Sequence, residues 1–254
     1  LAGSTTIDTD STSNNGAVTF SSTVDGTQTL TITSGSGAVQ FGGNVGATTV
    51  LSDLTVNSSA GTGAITFSGN VGADATTAGA AAVTIGNNDT ASITFAGVEF
   101  TTSGVQLFKA DAYSITGADS TFGSANANIT FSDGGADGGI TLADIADLTI
   151  TTEVGGGGGG NIAVNIPIAG TAGNGDDATD ITMDAGTGTI SIEDISTDIN
   201  DVLLTSTGGI TLNGNITTAV DTDETGATSG IVTLTGPVTL AGSTTIDTDS
   251  TSNN

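Results

Sequence analysis

Phe41-Gly42-Gly43-Asn44-Val45-Gly46-Ala47 returns 26 residues later as Phe67-Ser68-Gly69-Asn70-Val71-Gly72-Ala73. A looser version, Phe20-Ser21-Ser22-Thr23-Val24-Asp25-Gly26, stands 21 residues before the first. Spacings of this size suit one coil of a parallel β-helix that holds two or three short strands. Stacked coils then set like residues over like, with Val, Ile and Phe ladders inside and Thr ladders outside.

The rest of the chain has the same texture. Triplets of apolar, small polar and apolar residues run from end to end. Examples are Val18-Thr19-Phe20, Leu30-Thr31-Ile32, Ile65-Thr66-Phe67, Val83-Thr84-Ile85, Ile129-Thr130-Phe131, Ile181-Thr182-Met183 and Ile210-Thr211-Leu212. Alternation with period two marks a half-buried strand, and Val, Ile, Phe and Thr all favour strands. The apolar pair is expected to point inward and the central Thr outward. Gly, Asn, Asp and Ser fill the gaps, as turns require.

Strands so short and so numerous make a poor sandwich. No stretch carries a helical period. The alanine run Ala80 to Ala82 is too short to nucleate a helix and reads as a turn into the strand at Val83. Asn15-Gly16 and Asn213-Gly214 suit hairpin turns or the corners of a coil. The six glycines Gly155 to Gly160 read as a flexible outer loop. The expected class is all-β: a right-handed parallel β-solenoid of short strands.

A second repetition works at larger scale. Leu1 to Asn15, LAGSTTIDTDSTSNN, recurs without change as Leu240 to Asn254. The expected organisation is therefore one continuous solenoid segment over 1–254. Residues 1–239 form one repeat unit and 240–254 begin the next identical one. The two copies are expected to hold the same coil position, one unit apart. The chain also reads as an excerpt of a longer polypeptide, with any signal or anchor outside it.

Composition narrows the function classes. There are 27 Asp and Glu against a single base, Lys109, for a net charge of −26. Nucleic acid needs Lys and Arg to displace phosphate counterions, so it is not an expected partner. Cations are the natural partners of such a surface, although charge of one sign also keeps a long array soluble. Without Cys or His the chain holds no disulfide and no zinc, haem or iron–sulfur site built on those ligands. Scarce Lys and Arg leave trypsin-like proteases almost nothing to cut, which suits an exposed fibre.

The stretches GAVQFGGNVGATTVLSDLTVNSSAGTGAITF, from Gly37 to Phe67, and FTTSGVQLFKADAYSITGADSTF, from Phe100 to Phe122, carry a resemblance to a family. They are similar to the repeats of giant bacterial β-strand-repeat surface proteins, related in style to filamentous haemagglutinins and autotransporter passenger domains. The resemblance implies a right-handed β-solenoid, secretion and a place at the cell surface. It implies no catalytic residue.

Candidate sites are acidic. Asp8 and Asp10, their copies Asp247 and Asp249, Asp221 with Asp223, and Asp176 and Asp177 with Asp180 offer oxygen ligands of the kind calcium takes. The competing reading is a solvated turn, which Asp favours on its own account. Gly173-Asn174-Gly175-Asp176 matches a calcium-binding nonapeptide only in part. Thr rows on a flat face suggest ice binding, but Gln40, Ala163 and Leu203 interrupt them. Glu193-Asp194 is a nominal glycosidase pair; a sugar groove also wants aromatic platforms, and the chain has no Trp and one Tyr. Sequons at Asn57, Asn88, Asn128 and Asn215 are chance matches in so Asn- and Thr-rich a chain.

The expectation is a non-enzymatic structural repeat of a secreted bacterial surface fibre or giant adhesin stalk. Its partners are neighbouring copies of the unit and parallel fibres, with no membrane span in this segment. No cofactor is required; calcium is the one candidate. The alternative is an adhesive binding module for a glycan, a partner fibre or calcium.

Overall fold

The structure, a computed structural model, describes residues 1–12, 15–73, 77–135, 138–144, 146–171, 179–196, 198–219 and 230–250, the side chains of 249 and 250 excepted. Every regular element among them is a strand, and every ladder between strands is parallel. The chain is a parallel β-solenoid.

Each coil visits up to three faces in turn. The first face stacks Thr5–Asp8, Leu30–Thr33, Leu51–Val56, Ala80–Gly86, Gln106–Ala110, Ile129–Asp133, Ile162–Asn165, Ile190–Ile192, Ile210–Leu212 and Val238–Leu240. The second is a 10-stranded sheet of Val18–Phe20, Val39–Phe41, Ile65–Phe67, Ile93–Phe95, Tyr113–Ile115, Ile140–Leu142, Ile168–Gly170, Ile195–Ser196, Ile216–Ala219 and Ile246–Ser250. The third begins as single bridges, Val24 to Val45 to Val71 to Phe100. From there it widens into Glu99–Thr102, Ser120–Ser124, Leu148–Thr151, Thr179–Asp184, Ile199–Thr205 and Val232–Thr235.

The echoed heptapeptides fall into register as their spacing requires. Phe20, Phe41 and Phe67 pair in one column and Val24, Val45 and Val71 in the next. Coil length varies more than the echo suggests. In-register neighbours are 20 residues apart from Ser191 to Thr211 and 33 apart from Thr130 to Ala163. Corners absorb the difference, because the strand ladders fix only the residues on the faces.

Two local expectations are corrected. Ala80 to Ala82 is no turn; it opens the strand Ala80–Gly86. There Ala80 pairs with both Leu51 and Thr102 while Val83 pairs with Gln106, so the small residues carry one strand from the third face onto the first. The glycine run is only half an outer loop. Gly155 to Gly157 have open space around them, but a Cβ on Gly160 would lie 2.2 Å from the Ala127 carbonyl carbon. Asn15-Gly16 and Asn213-Gly214 turn corners between parallel strands, not hairpins.

The interior is largely apolar and laddered. On the second face the rings of Phe20, Phe41, Phe67 and Phe95 stack with centroids 5.1, 4.8 and 5.8 Å apart. Offset stacking of this kind adds to simple burial. Phe100 then meets Phe67 and Phe95 edge-on, and Phe108, Phe122, Phe131 and Tyr113 continue the cluster. All eight Phe of the chain belong to it. Beyond Phe131 the buried columns are aliphatic, built from residues such as Ile150, Val164, Met183 and Leu204.

A bend in a solenoid strands backbone carbonyls inside the corner, where each needs a donor. Buried hydroxyls supply them after the third face. Thr102 donates to Gly104 O at 2.6 Å, Ser124 to Ala127 O at 2.5 Å, Thr152 to Gly160 O at 2.9 Å and Ser206 to Gly188 O at 2.5 Å. After the first face Ser34 donates to Gly37 O at 2.6 Å.

Candidate functional site

Among the described residues no three acidic groups come together in a way that would hold a metal ion. Asp8 is exposed on the first strand of the first face, and its Oδ1 accepts the Asp10 N–H at 3.0 Å. Asp10 is exposed beside it. Asp247 lies at the opposite end of the stack, on Ile246–Ser250. Asp249 shares that strand, but its side chain lies outside the described residues, as do Asp176, Asp177, Asp221 and Asp223.

Asp180 is the informative member, and its partners were not singled out in the sequence. Its backbone N–H donates to Asp147 Oδ1 at 2.8 Å, and its own Oδ1 accepts the Asp201 N–H at 2.9 Å. Asp201 Oδ1 in turn accepts the Ile231 N–H at 2.7 Å. Each carboxylate thus bonds the backbone of the next coil at the same position. Burial raises the Asp180 carboxyl above its ordinary value, and the Asp147 and Asp201 carboxylates push the same way; the Asp201 N–H and the Asn200 side chain hold it down.

Amides do the same work elsewhere. Asn44 Oδ1 accepts the Asn70 N–H and Asn70 Oδ1 accepts the Val98 N–H, both at 3.0 Å. Asn128, Asn161 and Thr189 form a second such column, and Asp194, Asn215 and Thr245 a third. These side chains staple coil to coil. Asp194 of the nominal glycosidase pair is one of them. Asn57, the first sequon, is fully buried and accepts the Ser34 N–H at 2.8 Å.

The described surface also has one shallow groove of note, where Lys109 lies beside Leu107, Asn87, Asn88 and Asp89. It is open, and most of the side chains along it carry polar groups. It lacks the apolar walls and convergent polar groups of a small-molecule site.

The ends of the stack differ from its flanks. Apolar residues that face inward are buried in the interior coils: Val202, Leu204, Ile210, Leu212 and Ile216 are at most 1 % exposed. In the last coil their successors are open: Val238 is 43 %, Leu240 56 % and Ile246 45 % exposed. Val232 and Leu234 are only partly covered. The strands Val232–Thr235, Val238–Leu240 and Ile246–Ser250 each have a described neighbour on one side only. An uncovered run of backbone donors and acceptors is a sheet edge on which a further strand can pair.

Comparison of the chain with protein-family models, curated proteins and solved structures returns no match. No helix among the described residues is long and apolar enough to cross a membrane.

Proposed function

We propose that this chain is a structural repeat unit of a secreted bacterial surface fibre or giant adhesin stalk, and that it builds length by stacking solenoid units end to end. The observation that carries this reading is the coincidence of two features at one end. The opening sequence of the unit recurs there unchanged, and the interior ladders stand open there.

The mechanism is mechanical. Coils add about 4.8 Å each along the axis, and the backbone ladders between coils carry load in the hydrogen-bonding direction. Aliphatic and aromatic columns keep water out of the interior. The acidic exterior, with 27 acids against one base, keeps neighbouring fibres apart and soluble. An extracellular, cell-surface setting fits the absence of Cys and the scarcity of tryptic sites. The unit needs no catalytic residue and no cofactor for this role.

The test is length. Chains of one, two and three units, imaged by negative-stain microscopy, are expected to lengthen by about 45 Å per unit as unbent rods, from nine or so coils at ~4.8 Å each. Beads joined by flexible hinges would refute the reading.

A further inference from the structure

We propose that successive units join with a rotation of one face, a third of a turn, so that identical units point in three directions along the fibre. The inference rests on the stacking reading above and adds a geometry to it.

The two copies of the fifteen-residue sequence do not hold equivalent places. In the first, Ile7 lies on the first face, paired with Ile32. In the second, its counterpart Ile246 lies on the second face, paired with Ile216. The expected shared coil position is thus not found. From Thr5–Asp8 to Val238–Leu240 the first face takes nine steps, and Ile246 lies one face further on. One unit therefore spans nine turns and a third.

A whole number of turns is sterically closed to this end. It would put Ile246 on the first face, where Val238–Leu240 already lies in register with Ile210–Leu212. Ile246 comes only six positions after Leu240, whereas the shortest first-face coil is the 20 positions from Ser191 to Thr211.

The rotated frame, by contrast, finds every seat free. The next unit's Val18–Phe20 would lie on the third face over Val232–Thr235, with Phe over Leu234. Its Val24 would cover Val238–Leu240, and its Leu30–Thr33 would lie over Ile246–Ser250, as Leu30–Thr33 lies over Thr5–Asp8 here. All three faces share the apolar, polar, apolar alternation, so a change of face turns no residue inside out. The exposed Val238, Leu240 and Ile246 become interior. Any feature on the flank, such as the Lys109 groove, then recurs at 120° intervals, and the full pattern repeats after three units.

Two measurements test this. In the present chain, Thr217→Cys with Asp247→Cys places two outward thiols on adjacent strands of the second face, in register. A short bis-maleimide, which alkylates both thiols, is expected to join them several-fold more efficiently than Thr211→Cys with Asp247→Cys, the pair that would meet in the first-face frame. Preferential joining of the Thr211 pair would overturn the proposal. In a two-unit chain, cryo-electron microscopy is expected to relate the units by 120° about the axis. A rotation near zero would overturn the one-face step while leaving end-to-end stacking intact; units joined by a hinge would overturn both.

Discussion

The rings of Phe41 and Phe67 lie one above the other, with centroids 4.8 Å apart and planes 1° from parallel. The two residues are 26 positions apart in sequence and one coil apart in space. That contact joins the sequence echo to the architecture, because a one-residue slip would turn both rings outward.

Phe67→Ala is expected to destabilise the chain by about 3–5 kcal/mol, the usual cost of emptying a phenylalanine site in a packed core. Phe20→Ala, at the end of the same column and only partly covered, is expected to cost clearly less. Denaturant unfolding followed by circular dichroism compares the two. Equal losses would mean that the column is not a stack with an open end.

Asp180 gives a stability dependence of defined sign. Its carboxyl is raised from an ordinary 3.8, so the folded state holds the proton more tightly than the unfolded one. The stability this contributes is complete below 3.8 and is lost as pH rises through the raised value. Asp180→Asn keeps an oxygen for the Asp201 N–H and removes the charge. It is expected to be at least as stable as the parent at neutral pH, with a weaker gain on acidification. Asp180→Ala, which leaves that N–H without its acceptor, is expected to lose about 1 kcal/mol. Unfolding at neutral and acidic pH separates these cases; an Asn variant as damaged as the Ala variant would contradict them.

The ladder columns were legible in sequence where a whole peptide recurs from coil to coil. Asn44 and Asn70 lie inside the echoed heptapeptides, so their stacking follows from the alignment that reveals the coil. Asp147, Asp180 and Asp201 form an equally regular column in space, but they are 33 and then 21 residues apart. Loops of unequal length between coils erase the period. The corner hydroxyls Thr102, Ser124, Thr152 and Ser206 were illegible for the same reason, and because Ser and Thr are everywhere in this chain. Asp8 and Asp10, two positions apart, are both exposed, and Asp8 Oδ1 is engaged by the Asp10 N–H, as the solvated-turn reading of an Asp-x-Asp pair has it. The frame of the second copy could not be read at all: a pattern common to three faces does not say which face a triplet takes.

Tyr113 is the only tyrosine, so its ultraviolet titration reports one site. Burial pushes its hydroxyl well above the ordinary 10.0, and the neutral O–H donates to Ser132 O at 2.7 Å. A raised folded value means stability that is complete below 10.0 and declines as pH rises beyond it. Tyrosinate absorbance is therefore expected to appear together with unfolding. A smooth titration near 10 with the β signal intact would contradict the buried placement.

Calcium or high salt is expected to draw solenoids together side by side. The net charge of −26 makes parallel fibres repel, and both additions weaken that repulsion. Chelation is expected to reverse light scattering while leaving the circular dichroism of the strands unchanged. Loss of the β signal on chelation would make the acids structural ligands of calcium.

The most direct measurement of coil stacking is a distance along the axis. Thr19 and Thr141 are both exposed on the second face, five strands apart in the stack. Spin labels on Thr19→Cys and Thr141→Cys, which leave the interior untouched, are expected to show a single narrow distribution centred near ~24 Å, five coils at about 4.8 Å, broadened by the label arms. A distribution centred far from that value, or one too broad to define a centre, would contradict the stacked solenoid and the stalk built from it.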